Sequence, residues 1–180
     1  DSRVEEIRAE LKAYPDFPKK GILFQDIMPI FRKPDVFRKV VDLFAEHVRK
    51  SVPNVHTVAG IEARGFLLGP PLALALNVPF VPIRKAGKLP GNVKSQAYDL
   101  EYGKDKLEVQ LESVSPGKNI VLIDDLLATG GSLQAAISLI RAAGGNVALC
   151  LVVVELEELQ GRQKLDAPVL SLLSFCEPKV

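Results

Sequence analysis

The sequence has 180 residues, 47% of them hydrophobic, and a formal net charge of +1. This length and composition are typical of one globular domain that buries about 70% of its unfolded-chain surface and needs no metal or disulfide to stabilise it. The balanced charge argues against general attraction to nucleic acid or acidic membranes, and no apolar run approaches the roughly 18 residues of a membrane span. Because the first fourteen residues are charged where a signal peptide is apolar, we expect a cytoplasmic protein.

The N-terminal part of the chain predicts two helices separated by a break. Apolar residues recur at helical spacing over residues 3–13, which predicts a short amphipathic helix. The stretch YPDFPKKG interrupts it with two prolines and a glycine. A second helix is predicted to begin at Pro34. One of its faces carries Phe37, Val40, Val41, Phe44 and Val48.

Beyond this helix, short apolar strands alternate with helices. Strands are predicted at 57–61, 79–83, 119–123, 146–154 and 167–175, and helices near 66–76 and at 132–142. Uninterrupted apolar strands between helices favour an α/β fold, with a mostly parallel central sheet and helices on both faces. Residues 86–112 are more polar and contain Gly and Pro, so we predict a hairpin or mobile lid there, outside the core sheet.

The cysteines and histidines offer no obvious catalytic centre. Cys150 lies in an apolar run and Cys176 lies near the C-terminus. Both are interpreted as buried, inert thiols rather than nucleophiles, since neither has an evident partner base. His47 and His56 are interpreted as surface or structural residues.

The most informative stretch is IVLIDDLLATGGS, residues 120–132. Ligands of open parallel sheets bind beyond the carboxyl ends of the strands. There, Ala128 to Ser132 have the composition of a phosphate cradle that opens a helix, with glycines for close approach and hydroxyl donors. No lysine follows the glycines, so this is not a nucleoside triphosphate loop of the Walker type. Asp124 and Asp125 would repel a triphosphate but suit two neighbouring sugar hydroxyls. The stretch therefore predicts a ribose 5-phosphate site; the alternative is a strand end with solvated acids and a Gly-Ser turn.

Two other strand ends carry positive charge. The segment GIEARGF places Arg64 after one strand, and IRKAGKLPG places Arg84, Lys85 and Lys88 after the next. Arginine in a backbone nest and clustered lysines are suited to oxyanions or diphosphate. One such cluster is more often a solvated surface, but a ribose carrying phosphate at one end and diphosphate at the other would satisfy all three strand ends.

These motifs carry a resemblance to a known family. VLIDDLLATGGS resembles the phosphoribosyl-diphosphate motif of type I phosphoribosyltransferases. Further segments resemble the adenine phosphoribosyltransferases in particular, in the expected order: YPDFPKKGILFQDI, AGIEARGF, IRKAGKLPG, LEYG and VVELEELQGRQKL. The resemblance implies a single domain over residues 1–180, with a small base-binding hood of N-terminal (about 1–33) and C-terminal segments and a flexible lid at about 86–112.

The resemblance also implies a reaction. Adenine and 5-phosphoribosyl 1-diphosphate would give AMP and diphosphate, with magnesium held by the substrate diphosphate and ribose hydroxyls rather than by assigned protein ligands. The protein would be a homodimer.

By similarity, each motif has a role in that reaction. The 5-phosphate would be held by Ala128, Thr129, Gly130, Gly131 and Ser132, and the ribose hydroxyls by Asp124 and Asp125. The diphosphate would be held by Arg64, Lys88 and Arg84, the last from the same chain or from a dimer partner. Adenine would lie between Phe24 and Leu156, with its edge read by the backbone of Ile22, Leu23, Phe24 and Gln25. Glu101 would transfer a proton at the base, and Tyr102 would close over the site.

Two alternatives and one departure from the family pattern stay open at this stage. The family often has arginine where this chain has Gln25; the change matters only if that contact is made by the side chain. One rival function is phosphoribosyl transfer to another base, such as hypoxanthine, xanthine or orotate. The other is a non-catalytic regulator that senses the diphosphate sugar. A regulator would need a nucleic-acid-binding element, and the sequence shows no basic stripe.

Overall fold

The computed structural model describes residues 1–100 and 102–176. The chain divides into two compact units, Asp1–Leu43 and Phe44–Val180, and the boundary falls inside a helix. The single domain over residues 1–180 stays a prediction. Along the described chain, no helix is long and apolar enough to cross a membrane.

The first unit is built from short elements. In chain order they are α1 (Ser2–Glu10), β1 (Lys12–Pro15), β2 (Leu23–Asp26), α2 (Met28–Phe31) and the start of α3 (Pro34–Ser51). The start of α3 at Pro34 confirms the prediction from the sequence. The prediction of a helix to residue 13 is wrong, because Leu11 is already extended and residues 12–15 pair antiparallel with β2. Pairing between strands satisfies the backbone groups that the last turn of a longer helix would have used.

The second unit contains a seven-stranded sheet. Its elements are β3 (Thr57–Ile61), α4 (Gly65–Leu76), β4 (Phe80–Lys85), β5 (Val93–Asp99), β6 (Lys104–Gln110), β7 (Asn119–Leu127), α5 (Gly131–Ala142), β8 (Asn146–Leu156) and β9 (Val169–Phe175). The strand order is β5-β6-β4-β3-β7-β8-β9, and the five strands from β4 to β9 in that order run parallel. The predicted α/β fold with a mostly parallel sheet is confirmed.

The prediction that residues 86–112 form a hairpin outside the sheet is wrong in its placement. The hairpin extends one edge of the sheet. Strand β6 pairs antiparallel with β4 through Arg84↔Glu108 and Lys85↔Leu107. The alternating residues Leu107 and Val109 are 1% and 0% exposed, so one face of β6 belongs to the core. The period-two pattern of KLEVQLE is the signal for such an edge strand, but the surrounding polar residues obscured it.

The strand order also locates a crevice. From β3 the chain crosses to β4 on one side, whereas from β7 it crosses to β8 on the other. Since parallel crossovers are right-handed, α4 and α5 cover opposite faces of the sheet. The carboxyl ends of β3 and β7 therefore flank a topological switch point, where ligands of such sheets bind.

Candidate active site

Two adjoining cavities lie at the carboxyl ends of β3 and β7, with volumes of about 180 Å³ and 170 Å³. They share four residues of their walls: Arg64, Asp124, Asp125 and Ser132. The first cavity extends toward the basic side of the site, past Glu62, Lys85 and Tyr98. The second extends along the whole loop from Ala128 to Gly131. The structure thus brings together the residues predicted for ribose, for 5-phosphate and, through Arg64, for diphosphate.

The loop between β7 and α5 has the geometry of an anion cradle. Gly130 has φ +88°, a left-handed conformation that favours glycine, and it immediately precedes the twelve-residue helix α5. The first backbone N–H groups of a helix have no intrahelical acceptor and carry the positive end of its dipole. Thr129 is exposed at the turn, and Ser132 lies in the first turn of the helix. This loop can therefore bind a phosphate with backbone N–H groups and two hydroxyls.

The two acids lie within β7 rather than after it, because β7 continues to Leu127 beside β8. Pairing with β3 ends at Ile123, so Asp124 lies level with Ile61, the last residue of β3, and Asp125 lies just beyond it. Asp125 is 8% exposed, and its carboxylate accepts a hydrogen bond from Arg64 Nε at 2.5 Å. Asp124 Oδ1 accepts the backbone N–H of Asp125 at 2.9 Å. Burial, reinforced by the negative charge of Asp125, raises the pKa of Asp124 well above its ordinary range.

Glu62 is a component of the site that sequence reasoning missed. Its carboxylate accepts the backbone N–H of Lys85 at 2.6 Å and Lys88 Nζ at 2.9 Å, and it lies 3.4 Å from Arg84 Nε. Burial pushes its pKa upward, but the hydrogen bonds from the two lysines and the charges of Lys88 and Arg84 outweigh burial and lower it. Lys88 and Arg84, which are predicted to bind diphosphate, thus contact a carboxylate of the protein itself. Glu62 lies two residues before Arg64 in the segment GIEARGF, but the sequence does not show its partners, which lie more than twenty residues further along the chain.

A second carboxylate fixes the basic loop to the hairpin. Glu108 on β6 accepts the backbone N–H of Gly87 at 2.8 Å and the hydroxyl of Ser95 at 2.5 Å. Those two hydrogen bonds lower the pKa of Glu108. Because Ser95 belongs to β5 and Gly87 to the loop after β4, Glu108 joins three parts of the cavity's basic side.

The hairpin places a tyrosine in the first cavity. Tyr98 lines this cavity and donates its hydroxyl to Asp105 at 3.4 Å. Burial and the charge of Asp105 raise the pKa of Tyr98, so its hydroxyl stays protonated as a donor. Tyr102, predicted to close over the site, is 87% exposed near the tip of the hairpin. Glu101, predicted to transfer the proton, lies outside the described residues, and its role stays a prediction.

The residues predicted to bind adenine belong to different units. In the first unit, β2 is half-buried and pairs with β1 along one edge, and Phe24 packs edge-to-face against Phe17 at 5.2 Å between ring centroids. The Ile22 carbonyl accepts the backbone N–H of Phe17 at 3.1 Å. In the second unit, Leu156 is the half-buried last residue of β8. The roles of residues 22–25 and of Leu156 in binding the base stay predictions.

The two cysteines differ. Cys150 is buried, and burial raises its pKa to about 12, so it is the inert thiol that the sequence predicted. Cys176 is exposed, and the prediction that it is buried is wrong. Strand β9 ends at Phe175, so Cys176 follows the last residue that the sheet holds.

Comparison with known proteins assigns the chain to a family. The family model for the phosphoribosyl transferase domain matches residues 29–176. An adenine phosphoribosyltransferase of Triticum aestivum is 51% identical over 178 residues, covering 98% of this chain and 97% of its own length. One of Debaryomyces hansenii is 50% identical over 170 residues, covering 94% and 90%. This chain belongs to the adenine phosphoribosyltransferase family.

Solved structures of the family agree with this assignment. The crystal structure of adenine phosphoribosyltransferase from Saccharomyces cerevisiae, complexed with an iminoalditol bisphosphate and adenine, has a TM-score of 0.94 at 46% identity. The match covers 96% of this chain and 99% of that one. The Trypanosoma brucei enzyme, in complex with AMP, pyrophosphate and ribose-5-phosphate, has a TM-score of 0.87 at 31% identity, with 97% and 80% covered. The resemblance predicted from the motifs is confirmed.

Proposed function

We propose that this chain transfers the 5-phosphoribosyl group from 5-phosphoribosyl 1-diphosphate to adenine, giving AMP and diphosphate in purine salvage. The observation that carries the proposal is the pair of adjoining cavities that share Arg64, Asp124 and Asp125. One cavity ends in the phosphate loop and the other at the basic side, as a ribose with an anion at each end requires. Relatives and neighbouring structures that bear the name of this activity support it along nearly the whole chain.

The residues at the shared wall are suited to the chemistry of this transfer. As the bond to diphosphate breaks at the anomeric carbon, the ribose ring gains positive charge and the leaving group gains negative charge. Asp124 and Asp125 accept the ribose hydroxyls and place negative charge near the cationic ring. Arg64 stabilises the departing diphosphate, and because it also contacts Asp125 at 2.5 Å, one ion pair joins the sugar and diphosphate sides.

The basic loop completes the diphosphate site. Lys88 and Arg84 contact Glu62 of the same chain, which lines the first cavity. We therefore infer that Arg84 serves the site of its own chain. A diphosphate entering this cavity would compete with the Glu62 carboxylate for these cations, because both are oxyanions that carry the same sign of charge.

Magnesium fits the site through the substrate rather than through a protein cage. Within residues 1–100 and 102–176, no group of three or more His, Cys, Asp or Glu side chains could hold a metal ion. Magnesium keeps several waters and is bound by few carboxylates together with substrate phosphates. We propose that Asp124 and Asp125 would help to hold magnesium together with oxygens of the substrate, and that the ion would supply positive charge for the leaving group.

Recognition of the base is proposed from the resemblance. The backbone of residues 22–25 reads the edge of adenine, Leu156 contacts its ring, Glu101 handles the proton and Tyr102 closes over the substrate. Backbone readout makes Gln25 harmless in place of the usual arginine. Free cysteines fit a reducing compartment, and we propose a cytoplasmic location.

The assignment is tested by magnesium-dependent AMP formation with several bases. We expect adenine to be used at least roughly 10²-fold better in kcat/KM than hypoxanthine or guanine, because a 6-oxo group would leave buried donors and acceptors unpaired. Comparable turnover of hypoxanthine would overturn the choice of base. Binding of 5-phosphoribosyl 1-diphosphate without turnover of any base would instead favour a regulator that senses the sugar.

A further inference from the structure

The segment that follows β8 packs directly against the phosphate loop. It consists of two short 3₁₀ turns, Glu157–Leu159 and Gly161–Lys164, and Gly161 is buried. A Cβ atom on Gly161 would overlap the carbonyl oxygen of Ala128 and lie 3.0 Å from the carbonyl carbon of Thr129. In the reverse direction, a Cβ atom on Gly130 would lie 2.7 Å from the carbonyl oxygen of Gly161. The two backbones are therefore in contact over three consecutive residues of the loop.

Arg162 anchors this segment to the sheet. Its guanidinium binds Glu155 through two hydrogen bonds, Nε to Oε1 at 2.9 Å and Nη2 to Oε2 at 2.6 Å. Its Nη1 donates to the carbonyl of Val169 on β9 at 2.6 Å. Glu155 is 6% exposed and also accepts the hydroxyl of Ser171 at 2.8 Å. A bidentate ion pair of this kind fixes the orientation of the guanidinium as well as its distance from the carboxylate.

The other end of the segment is attached to α5. Gln134 Nε2 donates to Asp166 Oδ2 at 2.8 Å, and the backbone N–H of Asp166 donates back to Gln134 Oε1 at 3.0 Å. Arg141 donates to the carbonyl of Asp166 at 2.5 Å. Residues 157–166 are thus held by the strands on one side of the phosphate loop and by the helix that follows the loop on the other.

We propose that Gly161, held in place by Arg162, is a positioning residue that sets the conformation of the phosphate loop and thereby the affinity for the 5-phosphate group. The proposal rests on the function proposed above. Neither residue needs to touch the substrate, because the effect is exerted through the backbone of Ala128 to Gly130. Donors that bind an anion must be oriented before it arrives if binding is not to cost reorganisation. The same segment begins directly after Leu156, so it also links the proposed base contact to the phosphate loop.

The test compares binding of ribose 5-phosphate with binding of diphosphate, both by calorimetry in the presence of magnesium. The φ of Gly161 lies outside the left-handed region, so Gly161→Ala is allowed locally and adds the overlap with the loop and a close contact with the Leu127 side chain. We expect this variant to bind ribose 5-phosphate roughly tenfold or more weakly, since small misplacements of binding groups have large effects. Its affinity for diphosphate should stay within about twofold of wild type, because Arg64 is held by Asp125, and Lys88 and Arg84 by Glu62.

Two further variants complete the experiment. Gln163→Ala changes an exposed residue of the same turn and should leave both affinities unchanged. Arg162→Lys keeps the charge but loses the bidentate geometry. It should weaken the binding of ribose 5-phosphate by a smaller factor than Gly161→Ala does, again without affecting the binding of diphosphate. If Gly161→Ala does not fold, Arg162→Lys decides the question.

The outcomes separate this proposal from the proposed function. The positioning role would be overturned if a folded variant bound both ligands more weakly by the same factor. It would also be overturned if a folded Gly161→Ala or Arg162→Lys protein bound ribose 5-phosphate as tightly as wild type. Failure of the wild-type protein to bind either ligand would instead remove the proposed function on which it rests.

Discussion

Asp124 and Asp125 are adjacent in the sequence but have different electrostatic surroundings. Asp125 contacts the guanidinium of Arg64, whereas Asp124 is half-buried beside the charge of Asp125, and desolvation and that charge raise its pKa. The site therefore contains one compensated carboxylate and one that is costly to ionise. A magnesium-bearing sugar would reduce that cost, which links substrate binding to the charge state of Asp124.

The raised pKa of Asp124 predicts how stability depends on pH. Since the folded-state pKa lies above that of the unfolded chain, the folded protein binds the extra proton and loses stability as pH rises through the interval between the two values. Asp124→Asn removes this loss. Without ligands, we expect the variant to have a higher Tm than wild type at about pH 8, and the difference to disappear near about pH 4, where the unfolded carboxyl is also half protonated. Thermal unfolding of both proteins between about pH 4 and pH 8 checks this prediction. A difference in Tm that does not change with pH would contradict it.

Glu62 provides a second prediction at the residue scale. Its carboxylate contacts the cations of the basic loop, which diphosphate would use in the proposed reaction. Glu62→Gln keeps an acceptor for the backbone N–H of Lys85 but removes the competing charge. We expect diphosphate to bind roughly 1.5-fold to fivefold more tightly, the range expected when a partly exposed ion pair no longer competes.

The matched control for this variant is Glu108→Gln. Glu108 also binds the basic loop, through Gly87; its backbone pairs with Arg84 in the sheet, but its carboxylate accepts from Gly87 and Ser95 rather than from Lys88 or Arg84. Its replacement should not tighten diphosphate binding. Weaker binding by Glu62→Gln would mean that Glu62 positions the cations rather than competing for them.

At the scale of elements, the sequence predicts the parts whose order depends on local pattern. Strand β3 has the predicted bounds, and α3 begins at the predicted proline, because each depends on contiguous apolar residues or on one backbone constraint. The edge hairpin, the Glu62 contacts and the packing of Gly161 were not predictable in this way. Each depends on residues about twenty to thirty positions apart in the sequence, whose meeting is set by the strand order of the whole sheet.

The loop and the strand of the proposed phosphoribosyl site should respond differently to mutation. Replacing Asp124 and Asp125 together by Asn removes charge that favours the cationic ring, so kcat should fall more than sugar affinity. Thr129→Val and Ser132→Ala each remove a hydroxyl at the loop, so they should mainly weaken binding of AMP and of the diphosphate sugar, by roughly 0.5–1.5 kcal/mol each. Steady-state kinetics together with AMP titrations distinguish the two classes. An Asp double variant with unchanged kcat would mean that the acids are only ligands.

At the scale of the whole molecule, α4 has an exposed apolar face. The helix carries no charged residue, and Leu67 and Leu74, two turns apart on one face, are 39% and 83% exposed. A helix that is apolar all round is normally buried. A second copy of the chain is the simplest cover, since most oligomers are symmetric dimers that place the same patch against itself. We therefore propose that the homodimer forms through α4.

Light scattering after size-exclusion chromatography tests the dimer. We expect the wild-type protein to have twice the mass of the chain, and Leu74→Arg to shift it toward the monomer, because the arginine would bury an unpaired charge between the two copies. Leu111→Arg places the same side chain on an exposed leucine of another element and should leave the dimer intact. Because α4 begins at Gly65, directly after Arg64, dissociation should also weaken diphosphate binding by loosening the loop that carries this arginine. A Leu74→Arg protein that stays dimeric would assign the interface to another surface, and a monomeric wild type would exclude the dimer itself.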